Sequence, residues 1–100
     1  MVKFESAPYD SAEYLTDDEA VAAYLQSAFE TGDAAFIVKA LGTVARARSI
    51  SQLAEQTGMS RTSLYKALSG EGRPEFGTIL KVAHALGLDL TVKPRLDDAA

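Results

Sequence analysis

The chain contains no cysteine. That absence excludes a disulfide framework, a thiol nucleophile and thiolate metal sites, and it fits a reducing cytosol. Histidine occurs once, as His84 between Ala83 and Ala85, with no carboxylate or nucleophile at a spacing that suggests catalysis. The acids Asp17, Asp18 and Glu19 stand together, but neighbouring acids at a helix start point in different directions and make a poor cation cage. No apolar run approaches the ~18 residues that a membrane span needs. The opening MVKFESAPYD lacks the apolar stretch of a secretory signal. Gly70-Glu71-Gly72 is not followed by the Gly-Lys-Ser/Thr of a phosphate-binding loop. Internal repeats and low-complexity tracts are also missing. The expectation is a soluble, cytoplasmic chain that is not an enzyme, with no cofactor, no metal and no membrane partner.

What is present reads as one globular domain. Of the 100 residues, 47% are apolar and 24% charged, ordinary values for a chain that buries a modest core. The net charge of −4 is spread unevenly. Residues 1–33 carry eight acids and one base, whereas residues 34–96 carry nine bases and four acids. An acidic third and a basic remainder suit different partners. The expected organisation is an acidic N-terminal arm and helix over 1–33, a DNA-binding unit with a terminal strand over 34–93, and a frayed tail over 94–100.

Periodicity supplies the elements. Val2-Lys3-Phe4-Glu5 alternates like a short strand. Thr16-Asp17-Asp18-Glu19 has capping-box spacing, and the helix after it sets Val21, Tyr24, Leu25, Ala28 and Phe29 on one face. Thr31-Gly32-Asp33 stops that helix and caps a second, about 34–48, whose inner residues are Phe36, Ile37, Ala40, Leu41, Val44 and Ala45. Gly42 within it marks a close helix crossing. Ser49 to Gln52 opens a short helix to about Thr57, and Ser60 caps another to about Leu68. After the loop SGEGRP, Pro74 suits the first turn of a last helix over about 74–86. Its inner residues are Phe76, Ile79, Leu80, Val82, Ala83 and Leu86. Gly87 ends it, and Leu88 to Val92 alternates with period two, a strand closed by Pro94.

The stretch SQLAEQTGMSRTSLYKAL meets the demands of a helix-turn-helix. Such a pair needs a small residue where the helices cross, supplied by Ala54, and a turn residue tolerant of positive φ, supplied by Gly58. Met59 plugs the gap between the helices, Ser60 caps the second, and Leu64 and Leu68 anchor its inner face. The outer face is then free to enter a major groove.

On these residues the chain resembles known families. AEQTGMSRTSLYKALSG and PEFGTILKVAHALGL resemble lambda-repressor-like helix-turn-helix domains. With DSAEYLTDDEAVAAYLQSAFETGD and ALGTVARARSISQLAEQTGMSRTSLYKALS, most of the chain resembles the addiction-module antidote family, the HigA-type antitoxins. The resemblance implies an antitoxin that neutralises a RelE-like ribonuclease toxin and represses its own operon by binding operator DNA. It implies a mainly α fold: a five-helix lambda-repressor-like domain with an N-terminal helical arm and a short C-terminal β-strand. One departure stands out. Where many repressor-like domains open the first motif helix with a phosphate-contacting glutamine, this chain has Ile50, with Gln52 two residues later.

Site residues follow from these patterns. Arg61, at the exposed start of the second motif helix, can pair with O6 and N7 of guanine. Thr62 and Ser63 can donate to base or phosphate, and Tyr65 can bond phosphate or pack on a thymine methyl. Lys66, Ser69 and Arg73 fit phosphate contacts that fix register without reading sequence, and Ser60, the cap, stands with them among the DNA-binding residues. Solvated charges on a helical pair that merely packs would give the same pattern. In the arm, Tyr9, Asp10, Glu13, Tyr14, Leu15, Asp17 and Asp18 combine aromatic anchors with acids suited to a basic toxin. Core packing and helix-start acids account for the same residues without a partner. Leu88, Leu90 and Val92 form a lone strand whose unpaired amides suit pairing across a twofold axis into a homodimer, with the last helix as the other dimer surface, or pairing with Val2–Glu5 in the same chain. Two other functions fit the residues: a stand-alone phage-type repressor without a toxin, and a protein-interaction adaptor that does not bind DNA.

Overall fold

The computed structural model describes residues 17–95, in which five helices follow one another: α1 (Asp18–Glu30), α2 (Ala34–Arg48), α3 (Ile50–Thr57), α4 (Arg61–Ala67) and α5 (Phe76–Ala85). The mainly helical fold and the number of helices agree with the periodicity. Among the described residues no helix is long and apolar enough to cross a membrane.

Most helix ends lie where local chemistry puts them. Asp33 accepts a hydrogen bond from the Phe36 amide at 3.2 Å and so starts α2. Ser49 does the same for α3 through the Gln52 amide, also at 3.2 Å. These side chains occupy amide groups that a helix start would otherwise leave open, each worth about 1 kcal/mol. After α5, the Gly87 amide reaches the His84 carbonyl and the Leu88 amide reaches that of Ala83, both at 2.9 Å. This paired closure ends the helix and folds Leu88 back onto the core.

Two starts differ from expectation. The N-cap of α1 is Asp17, not Thr16: Asp17 Oδ1 accepts from the Ala20 amide at 2.7 Å. A carboxylate there also meets the positive end of the helix dipole, an advantage a hydroxyl lacks. Helix α5 begins at Phe76 with Glu75 as its cap residue, so Pro74 precedes the helix rather than occupying its first turn.

The core is one cluster to which every helix contributes. Val21, Leu25 and Ala28 of α1 meet Val38, Leu41, Val44 and Ala45 of α2; Leu53, Leu64, Leu68, Val82 and Leu86 complete it. Helix α1 packs on α2, while α3 touches α2, α4 and α5. The ion pair from Arg48 to Asp18, at 2.8 Å, ties the end of α2 to the start of α1. Not every apolar residue on the expected faces is inside. Phe76 is 68% exposed, Leu80 42%, and Phe29 and Phe36 are also exposed. On α5 the inward row runs through half-buried Ile79 and buried Val82, Ala83 and Leu86; Phe76 and Leu80 lie four residues apart on the adjoining flank and stay exposed.

The expected C-terminal strand is absent among the described residues. Residues 88–95 carry no ladder, because a single extended segment has no neighbour to take its backbone bonds. The Val2–Glu5 segment lies outside the described residues. Residues 88–93 are held by side chains: Leu88 packs on the core, and Lys93 Nζ lies 3.3 Å from Glu30 of α1.

Candidate functional site

The α3–α4 pair is assembled from short-range bonds. Gly58 closes α3 with φ of 75°, its amide bonded to the Ala54 carbonyl at 2.9 Å. An L side chain there would cost about 1–2 kcal/mol, which is why the turn carries glycine. The Thr57 hydroxyl, buried, donates to the Leu53 carbonyl at 2.7 Å and accepts from the Met59 amide at 3.3 Å. Met59 packs against the core between the two helices. Ser60 then caps α4, accepting from the Ser63 amide at 3.0 Å.

Leu64 is fully buried and Leu68 nearly so. With that side of α4 facing inward, Arg61, Thr62, Tyr65, Lys66 and Ser69 form a continuous outer row, all exposed. Arg73 is exposed in the loop that follows. The eight residues expected to bind DNA are therefore on or beside one face. Their hydroxyls differ in availability. Ser60 donates to Ser63 Oγ at 2.9 Å, leaving the Ser63 proton free. Ser69 donates to the Lys66 carbonyl at 3.0 Å and accepts from the Glu71 amide at 3.2 Å, so it serves the turn first. Among the described residues neither Arg61, Lys66 nor Arg73 pairs with an acid.

The other two groups of site residues fare differently. Tyr9, Asp10, Glu13, Tyr14 and Leu15 lie outside the described residues. Asp17 caps α1 and Asp18 pairs with Arg48, so both have duties within the chain. Leu88, Leu90 and Val92 do not form a strand edge. They line a groove of about 770 Å³ between α1, α5 and residues 88–93, with Phe29, Phe76 and Leu80. Val92 is 98% exposed.

Sequence reasoning missed two features. One is this apolar groove, since periodicity places Phe76 and Leu80 in the core. The other is the pair Lys39 and Arg46, exposed on α2 beside the end of α4. Their spacing of seven around Gly42 was the available signal: a glycine chosen for a helix crossing implies that its row meets a neighbour.

Comparison with known proteins bears on the family. The family model described as "probable addiction module antidote protein" matches residues 5–94. A Haemophilus influenzae strain Rd protein, described as uncharacterized, is 46% identical over 85 residues, covering 85% of this chain and 88% of that protein. No solved structure is significantly similar to the chain. With nine-tenths of its length matched by one family model and a long relative at this identity, the chain belongs to the addiction module antidote family, and an antidote implies a toxin partner.

Proposed function

We propose that this antidote is a HigA-type antitoxin that binds operator DNA through α3 and α4 as a lambda-repressor-like helix-turn-helix, represses its own operon and neutralises a RelE-like ribonuclease in the cytoplasm. It acts by binding, not by catalysis, and needs no cofactor. The observation that carries the DNA reading is the outer row of α4: Leu64 and Leu68 fix its inner side, Ser60 caps its start, and the row exposes Arg61 and Lys66 without acid partners among the described residues. Arg61, at the first turn, reads a guanine edge. Thr62, Ser63 and Tyr65 supply further base or phosphate contacts, and Ser60, Lys66, Ser69 and Arg73 hold the backbone.

Two chains act together in this reading. The apolar groove at Phe76, Leu80, Leu88, Leu90 and Val92 offers side-chain burial in place of strand pairing, and a twofold axis there would serve a palindromic operator with half-sites roughly 34 Å apart. Fluorescence anisotropy on duplex DNA from just upstream of the gene, against a scrambled duplex, tests both points. The wild type is expected to prefer the upstream duplex at two chains per site, and Arg61→Ala to lose about 5–150-fold in that preference, the worth of one bidentate base contact. Equal affinity of both proteins for both duplexes would leave the helical pair as scaffold for an adaptor. One chain per site would remove the dimer.

For the toxin, the reading rests on the acidic arm, whose Tyr9, Asp10, Glu13, Tyr14 and Leu15 combine charge and aromatic surface for a basic ribonuclease. Deleting residues 1–15 leaves Asp17 to cap α1. The truncated chain is expected to bind DNA as before while protecting RNA poorly from the toxin of the neighbouring gene. Full protection by the truncated chain would move the docking surface elsewhere.

A further inference from the structure

Helix α2 has no role in reading DNA so far, yet one of its faces abuts the end of α4. Gly42 is the point of contact: a Cβ there would lie 2.7 Å from the Leu68 carbonyl oxygen and 3.5 Å from Arg46 Nη1. Three residues earlier, the methylenes of Lys39 lie directly against Gly70 in the loop after α4. Lys39 and Arg46 are seven residues apart, so they fall on one side of the helix. Lys66, whose carbonyl approaches Gly72, and Arg73 flank the loop that holds Gly70. All four basic residues are exposed.

Their charges are not used within the described residues. The ion pairs there are Arg48 with Asp18 and Lys93 with Glu30. Arg46 donates to the Thr43 hydroxyl, a neutral group, at 3.4 Å. Neither Lys39 nor Arg46 donates to the carbonyls at the end of α4, so helix capping does not account for them. Glu71 is the acid of the intervening loop, and it pairs with none of the four. Gathering four cations around a single unpaired acid raises self-repulsion, which a polyanion relieves, releasing its condensed counterions.

We propose that Lys39 and Arg46 of α2 form, with Lys66 and Arg73, a phosphate cradle that extends the DNA contact beyond α4 and across its C-terminal end. The inference rests on the DNA-binding reading and adds to it a second element that touches the duplex. It concerns register and affinity, since phosphate contacts carry no base information.

The salt dependence of binding counts such contacts, because log K falls with log salt by about 0.9 per phosphate neutralised. The wild type and the double variant Lys39→Gln/Arg46→Gln would be titrated with the upstream duplex from 50 to 200 mM salt. The variant's slope is expected to be shallower by about two, so the wild type loses roughly tenfold more affinity across that range. The charge-retaining pair Lys39→Arg/Arg46→Lys is expected to keep the wild-type slope. An unchanged slope in the glutamine variant would overturn the cradle while leaving DNA binding through α4 intact. A slope lost equally in both variants would also overturn it, because the loss would then follow shape and not charge. Wild-type protein that binds neither duplex would remove the DNA reading itself, and the cradle with it.

Discussion

Leu64→Ala is expected to lower the stability of the domain by about 2–5 kcal/mol, the range for a large buried side chain cut back to its Cβ. Leu64 is fully buried in the shared core cluster, which also holds Leu41, Leu53 and Val82. Those residues come from three different helices that also hold the rest of the core, so they cannot collapse freely into the space left behind, and the cavity term adds to the transfer term. The cost falls where it matters for function. Helix α4 has seven residues, far too few to hold a helix in water by itself. Its outer row stays in place only because Leu64 and Leu68 bind its inner side. Urea unfolding followed by circular dichroism measures the loss, and for a domain this size the melting temperature should fall by about 10 °C or more. A drop below ~1 kcal/mol, smaller than buried leucines give, would mean that α4 is not anchored to the core as described.

Gly42→Ala should also destabilise, against the usual sign of that exchange. Within a helix, alanine is ordinarily better than glycine by about 1 kcal/mol, because glycine loses more backbone freedom on folding. At Gly42 the new methyl would meet the Leu68 carbonyl at 2.7 Å, a contact with backbone that cannot rotate away. Helix α2 or the end of α4 must move, and overpacking of this kind costs about 1–3 kcal/mol. A net loss of up to about 2 kcal/mol is expected once the propensity gain is set against it. Gly77 in α5 is the natural control, since nothing lies within 4 Å of a Cβ built there. The same exchange at Gly77 should be neutral or stabilising by up to ~1 kcal/mol. Paired melts of the two variants separate the cases, and a Gly42→Ala protein as stable as the Gly77→Ala protein would show that α2 and α4 do not approach so closely. The displaced end of α4 carries Lys66 and Ser69, so DNA affinity should weaken along with stability.

The sequence by itself determined the features that few neighbours decide. Asp33, Ser49 and Ser60 cap helices because an oxygen on a short side chain reaches an amide three residues on, whatever the rest of the chain does. Gly58 was legible because a left-handed turn residue after a helix has a local cause. Leu64 and Leu68 were legible from spacing, and with them the outer row of α4. At the start of α1 local signals competed, and the residue that capped was Asp17 beside the expected Thr16.

Tertiary structure alone decided which apolar and charged faces meet a neighbour. Phe76 and Leu80 look like core by periodicity, yet burial requires a second element close against that flank, and α1 stands back from it across an open groove. Leu88 to Val92 alternates like a strand, but a strand is a relation between two segments, and one segment's side chains cannot specify its partner. Lys39 and Arg46 look like solvated charges on a helix until Gly42 brings α2 against the end of α4. A residue carries its own backbone preferences; its surroundings belong to the packing of distant segments.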